Sequence, residues 1–419
     1  MVSAFKQVYV SLFMSEDVIQ LIAAEYFNTR FNIIKVEKMP CKGLYNFHIT
    51  DKDELISSIK AIVEKASKAI GAKIEKVILV LPTYNFSRLP LRVSIVPTKE
   101  YLCKADVARA VSNSLKMDVG DSQLVVNASV IKYTINGISY RRMPEKEFCS
   151  QALVDIDLLC ADKEMAYSYV EAVNAAGLEV VDITLDNYSI CKEALLFEQS
   201  LEENLILLDI KQSQTILTLL SKGKLVSTEI INEGFSCLVD AVYSRYHLPK
   251  VNILRLIKYN ADAQNGYPYD AIFAWNENGK ANSLNAQQLY DALELSLNSY
   301  LDKIITLCGP ILEKDTSKFV LTGEGATIGI LQKMLAEKSE HEVSVYYPES
   351  IGVRDTALCA AYGALFIYKE KTNLNELLVS CVNMEEYNDT VDQQVIDVEG
   401  ESLTAKIKNL FIQYKNKGE

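Results

Sequence analysis

At 419 residues the chain is long enough for roughly two or three domains, each with its own core, and its net charge of −12 argues against nucleic acid as a partner. Nine cysteines, odd in number and without CxxC spacing, read as reduced thiols in a cytosolic setting and not as a disulfide framework. No apolar run approaches the roughly 20 residues of a membrane span, and no secretory signal is visible in 1–9, so contact with anionic lipid would need its own basic element.

In chain order, apolar runs over 8–12, 18–24 and 31–38 predict three strands with a turn at 13–17. A helix over 52–71 and a buried strand over 76–81 follow. The segment 94–162 then reads as a small α/β unit with helix 104–115 and strands 123–133, 138–142 and 152–159. Helix 166–176, strand 179–183 and helix 188–195 close this half.

The same order recurs further along. Strands over 205–210, 215–220 and 224–231 are joined at 211–214 and by a hairpin turn at Lys222-Gly223. Helix 235–246 comes next. The segment 247–308, with a long helix over 286–307, precedes strand 319–321, helix 328–337, strand 343–347 and helix 355–368. Two such halves make a cleft, with 1–93 and 163–203 facing 204–246 and 309–370.

The remaining chain divides in two. Residues 371–401 read as an acidic linker, because 384–401 holds seven acidic residues and no Lys or Arg, the composition of an unfolded tether. In 402–419, Leu403, Ile407, Leu410, Phe411 and Tyr414 fall within roughly a third of a helix circumference. Lys406 and Lys417 border that arc on one side, Lys408 and Lys415 on the other, and Ile412 lies on the polar side. An apolar stripe edged by lysines suits a helix lying in an anionic lipid surface. Each basic residue contributes about 1 kcal/mol, so one helix binds reversibly and stable attachment needs several protomers. The alternative is that this helix packs on its own protein or on a partner.

One turn carries a specific phrase. The strand ending at Leu321 runs into Thr322-Gly323-Glu324-Gly325-Ala326 and a helix, where turn amides and a helix N-terminus attract phosphate oxygens. This phrase resembles the LTGGGA turn of the FtsA-type bacterial cell division proteins. Leu208-Asp209-Ile210 sits where that family has DIGGGTT, and Arg354 through Gly363 is similar to its last core helix. The resemblance implies an α/β fold of duplicated actin-like (ribonuclease H-like) lobes flanking a nucleotide cleft. It also implies an inserted SHS2-like subdomain at 94–162 engaged in contacts between protomers, a peptide-receiving subdomain at 247–308, and a C-terminal amphipathic helix. The implied partners are FtsZ or a similar acidic tail peptide, further copies in filaments, and anionic lipid on the cytoplasmic face of the membrane at the septum.

The residues that would hold the implied cofactor, ATP with Mg, are Asp209, Lys211, Gln212, Ser213, Gly234, Gly323, Glu324, Gly325 and Ala326. Both hairpin turns nevertheless lack the glycines that let backbone approach a triphosphate. The turn at 211–214 has none, and the turn Phe13, Met14, Ser15, Glu16, Asp17 offers bulk and charge of the wrong sign, with Ser11 where the family has an acid. Asp209 remains as a magnesium contact through water. Lys211 either meets a phosphate or fills an empty cleft by pairing with Asp209 or Glu229. Gly323 and Gly325 suit packing as well as a ligand, and Gly234 opens a helix. ATP hydrolysis is therefore not expected, and the chain reads as an adaptor and not an enzyme. The three histidines, His48, His247 and His341, are isolated, which disfavours a metal site or triad. Two other readings stay open: a PilM-like adaptor of pilus assembly, which would lack the terminal anchor, and an ATPase or kinase of the same fold. The helix at 286–307 holds Lys303 alone where FtsA carries more basic side chains, and Lys250, Arg255 and Lys258 can substitute.

Overall fold

The computed structural model describes residues 7–27, 30–144, 146–261, 269–277, 279–313, 316–375 and 379–396. The segment expected to bind membrane, with Leu403, Lys406, Ile407, Lys408, Leu410, Phe411, Tyr414 and Lys415, lies outside them. The first lobe begins with an antiparallel meander of β1 (Gln7–Met14), β2 (Val18–Phe27) and β3 (Arg30–Pro40). A short hairpin of β4 (Leu44–Tyr45) and β5 (His48–Ile49) leads to α1 (Lys52–Ile70). The Asp51 carboxylate caps α1 by accepting from the Glu54 amide, and Gly71 ends it in the left-handed region at φ 76°. Leu55, Ile59, Ile62 and Ala66 form its buried stripe, laid on β2 and β3. The strand β6 (Lys76–Leu81) then runs parallel to β1.

The inserted unit holds β7 (Ser87–Ile95), α2 (Lys104–Ser114), β8 (Gln123–Ile135), β9 (Ile138–Tyr140) and β10 (Ala152–Asp162). Its sheet has the order β7-β10-β8-β9 and its own core, including Val107, Ile135, Val154, Ile156 and Leu158. The unit starts at Ser87 and not at 94, because all of β7 pairs with β10. Pro90 is tolerated there because β7 is an edge strand, where a missing N–H costs no ladder bond. The chain returns through α3 (Lys163–Ala175), β11 (Glu179–Leu185), α4 (Asp186–Glu193) and the single turn α5 (Leu196–Gln199). With β11 parallel to β6, the first sheet reads β11-β6-β1-β2-β3.

The second lobe repeats this connectivity. A meander of β12 (Asn204–Ile210), β13 (Thr215–Ser221) and β14 (Lys224–Ile231) turns at Lys222 and Gly223, whose φ of 53° and 73° match the twist of the flanking strands. After α6 (Ser236–Tyr246) come α7 (Lys250–Asn260), the ribbon β15 (Ala271–Glu277) and β16 (Lys280–Asn285), and the long α8 (Ala286–Leu312). Strands β17 (Ser317–Thr322) and β18 (Glu342–Val345), with α9 (Gly329–Ser339) between them, complete a sheet in the order β14-β13-β12-β17-β18.

Two segments depart from the expected division. Helix α10 (Cys359–Asn375), placed with the second lobe by a boundary at 370, packs on β1, β6 and α4 of the first. Its Phe366 meets Phe31 edge-on at 5.0 Å and Tyr368 meets Tyr9 at 5.8 Å. The expected unfolded tether is also wrong in part, since α11 (Met384–Ile396) is a helix docked on the first lobe. Cys381 exchanges backbone bonds with Val8, Glu75 and Lys76, the Glu386 carboxylate accepts from the Lys73 amide at 2.8 Å, and Tyr387 is buried. Met384, Tyr387 and Val391 supply an apolar stripe at helical spacing, which the acidic composition concealed.

Candidate functional site

The lobes face each other at the carboxyl ends of their parallel strands, the usual ligand position in α/β sheets. Lys211, just past β12, closes its turn by donating its amide to the Gln214 carbonyl at 2.9 Å, so the turn forms without glycine. Its Nζ donates to Asp186 Oδ2 at 2.9 Å, lies 3.3 Å from Asp209 Oδ2, and stands 5.1 Å from the centre of the Phe13 ring. These side chains are 15% (Lys211), 0% (Asp186) and 6% (Asp209) exposed, so the ion pairs are shielded from solvent. Asp186 Oδ1 accepts from the Thr83 amide at 2.9 Å, the Thr83 hydroxyl at 2.6 Å and the Asn187 amide at 2.8 Å. Burial works against the Lys211 charge, but Asp186 and Asp209 outweigh it and hold its pKa above the ordinary lysine value.

The second turn is satisfied by its neighbour. Ser213 Oγ donates to Asp17 Oδ2 at 3.4 Å and lies 3.5 Å from Glu16 Oε2, and Gln214 Nε2 donates to Asn46 Oδ1 at 3.3 Å. Burial, and then the adjacent Glu16, push the Asp17 carboxyl above its usual pKa. Ser11 is fully buried, and its hydroxyl makes no hydrogen bond to a described group.

The glycines read as ligand candidates are each crowded by the protein itself. A Cβ at Gly234 would stand 2.2 Å from the Lys211 carbonyl oxygen, and one at Gly323 would stand 2.5 Å from Asp209 Oδ1. At Gly325 it would meet Ile210 Cγ2 at 2.2 Å. Gln212, Gly323 and Glu324 line the residual cavity, Glu324 lies 3.8 Å from Lys258, and Ala326 is buried. That cavity measures about 50 Å³, whereas small-molecule sites take roughly 300–1,000 Å³. The residues in this arrangement do not fit a nucleoside triphosphate, and Asp209, which would contact magnesium through water, is paired with Lys211 instead.

Of the two pairings weighed for Lys211, the structure makes the one with Asp209; Glu229 is an exposed residue of β14. Asp186 escaped the sequence reading, although its place directly after a parallel strand was the available signal. The helix itself is expected over 188–195, but the interlobe bonds of Asn187 and Glu193 are not. Asn187 Nδ2 donates to Thr218 Oγ1 at 2.5 Å, and the Tyr346 hydroxyl donates to Glu193 Oε1 at 2.9 Å. Burial pushes the Glu193 carboxyl up to about 7. Among the described residues no cluster of three metal-ligating side chains occurs, and no helix is long and apolar enough to cross a membrane.

Two five-stranded sheets of identical connectivity, facing each other across a cleft, define an actin-like protein. Solved structures agree. The PilM-PilN type IV pilus biogenesis complex matches with a TM-score of 0.57 at 14% identity, over 85% of this chain and 98% of that one. MreB5 of Spiroplasma citri bound to ADP matches with a TM-score of 0.51 at 12% identity, over 88% and 98%. No protein-family model matches the chain. The cell division protein FtsA of Bacillus subtilis is 24% identical over 372 residues, 86% of this chain and 83% of the relative. That of Staphylococcus epidermidis is 21% identical over 407 residues (94% and 86%), and that of Enterococcus hirae 19% over 429 aligned positions (98% and 94%). Within the actin-like class, the chain is a divergent relative of the FtsA type.

Proposed function

We propose that this chain is an actin-like cell-division adaptor that self-associates, holds an acidic FtsZ-type tail peptide, and attaches to the cytoplasmic face of the membrane through 402–419. The observation that carries the reading is similarity to FtsA along nearly the whole chain, from the first lobe to the last. The peptide reading draws support from α7, where Val251 and Tyr259 are 75% and 78% exposed on either side of Arg255. Arg255 makes no ion pair among the described residues, whereas Lys250 and Lys303 are taken by Asp240 and Glu233. The ADP-bound MreB5 relative makes nucleotide the reference ligand of the fold, yet the filled cleft favours an adaptor that does not turn over ATP.

Removing the residues after Gly400 is expected to abolish co-sedimentation with anionic vesicles, and Phe411→Glu to mimic that loss by placing a charge mid-stripe. Unchanged co-sedimentation of both would refute the anchor. Titration of the full chain with ATP and magnesium should give a flat calorimetric trace. The PilM-PilN likeness favours a second reading, an adaptor for another envelope machine; it is distinguished by a body that ignores an FtsZ-type tail peptide.

A further inference from the structure

The cleft has no room for a triphosphate, yet side chains join its two walls. We propose that α4 is an interlobe clamp and Lys211 its built-in counter-ion, so that closure of the lobes is supplied by the protein's own ammonium group and not by a bound nucleotide. Helix α4 continues the first lobe from β11, and its side chains bond to three separate parts of the second. Asp186 takes Lys211 from the turn after β12, Asn187 donates to Thr218 on β13, and Glu193 accepts from Tyr346 just past β18. Attachments at both ends of one helix, to three parts of the second lobe, oppose separation of the lobes more than a single contact could.

The clamp is seated from behind as well. A Cβ at Gly363 of α10 would lie 2.2 Å from the Ser189 carbonyl oxygen, so the two helices cross with backbones in contact. Lys211 is the member whose loss matters most. Without it, the buried carboxylates of Asp186 and Asp209 would face each other with no cation, and an unpaired buried charge costs far more than a surface pair contributes. The outer contacts are of the weaker kind. Lys38 and Asp355, 3.0 Å apart, are 36% and 42% exposed and therefore screened.

This inference needs nothing from the tail, so it can fail or stand apart from the membrane reading. In the full chain, Lys211→Met keeps an unbranched side chain one atom shorter and removes its charge. It is expected to enlarge the radius of gyration in solution scattering and to speed hydrogen exchange at the Thr83 and Asn187 amides on the order of a hundredfold. Should that variant fail to fold, Asp186→Asn keeps an oxygen for Thr83 and Asn187 and so preserves the local fold. It loses the charge that pairs with Lys211 and is expected to enlarge the radius of gyration and speed exchange in the same direction, through opening of the lobes. Lys38→Ala, at the screened pair, should change neither. Unchanged size and exchange in Lys211→Met or Asp186→Asn would overturn the clamp. So would compaction of the unaltered chain on adding millimolar ATP with magnesium, since closure would then depend on ligand.

Discussion

The closing helices of the two halves, α4 and α10, occupy equivalent places in a duplicated fold but reach the other lobe by different means. Helix α4 buries Tyr188, Ile190 and Cys191 in the core, and with the buried Asp186 and Asn187 reaches the other lobe through directed hydrogen bonds. Helix α10 buries Ala360, Ala361, Tyr362, Ala364 and Leu365, and crosses to the other lobe through apolar contact. Apolar burial is non-directional and tolerates small displacements, whereas a buried ion pair holds only in one geometry. Duplication thus supplies two interlobe joints of which one gives stability and the other fixes the angle.

The largest effect should come from the apolar joint. Leu365 is fully buried in the first-lobe core, and Leu365→Ala should destabilise the fold by about 3–4 kcal/mol, the transfer loss plus a cavity. Chemical denaturation would measure it. The same variant should leave exchange at the Asn187 amide unchanged at low denaturant, and a parallel loss of protection there would show that the joints are one unit. Gly363→Ala tests where they touch. Its methyl group would meet the Ser189 backbone at 2.2 Å, which cannot yield as a flexible side chain would. A strain of about 3 kcal/mol, offset by the ~1 kcal/mol gained in helix propensity, leaves a net loss of about 2 kcal/mol. A neutral result would mean that the helices slide apart without cost.

The sequence reveals the apolar framework more readily than the polar joint. Both meanders, the hairpin at Lys222-Gly223 and the end of α1 at Gly71 follow from periodicity and turn chemistry, because each depends on neighbours close in the chain. The pairing of Lys211 with Asp186 joins residues 25 apart through a fold that had to exist first. No local pattern marks an aspartate at a strand end as the partner of a lysine in the other lobe. Composition misled at 384–396, where charge counted over a window hid the stripe of Met384, Tyr387 and Val391 that docks α11. The retained glycines at 323 and 325 were legible as small residues but not as to purpose, since crowding by Asp209 and Ile210 appears only in three dimensions.

The smallest effect separates the two ends of the polar joint. At one end, Lys211 keeps its proton through the neutral range, so its pairing contributes below the ordinary lysine pKa and is lost only in strong alkali. At the other, Glu193 Oε1 has the Tyr346 hydroxyl, but buried Oε2 makes no hydrogen bond to a described group, and Glu349 adds a like charge nearby. Lys192, the adjacent cation, reaches Glu370, while Cys359 and Tyr362 face Glu193 from α10 without a positive charge. Because the folded carboxyl holds its proton to about 7, against 4.5 ordinarily, its stabilising contribution is complete below pH 4.5 and is lost as pH rises towards 7. Glu193→Gln removes that titration while keeping an oxygen for Tyr346. The variant should therefore match the unaltered chain at pH 5 and exceed it at pH 8 by on the order of 1 kcal/mol, less than the full shift implies because nearby groups relax. Melting curves at the two pH values decide it, and a constant difference between them would show that Glu193 is ionised at both.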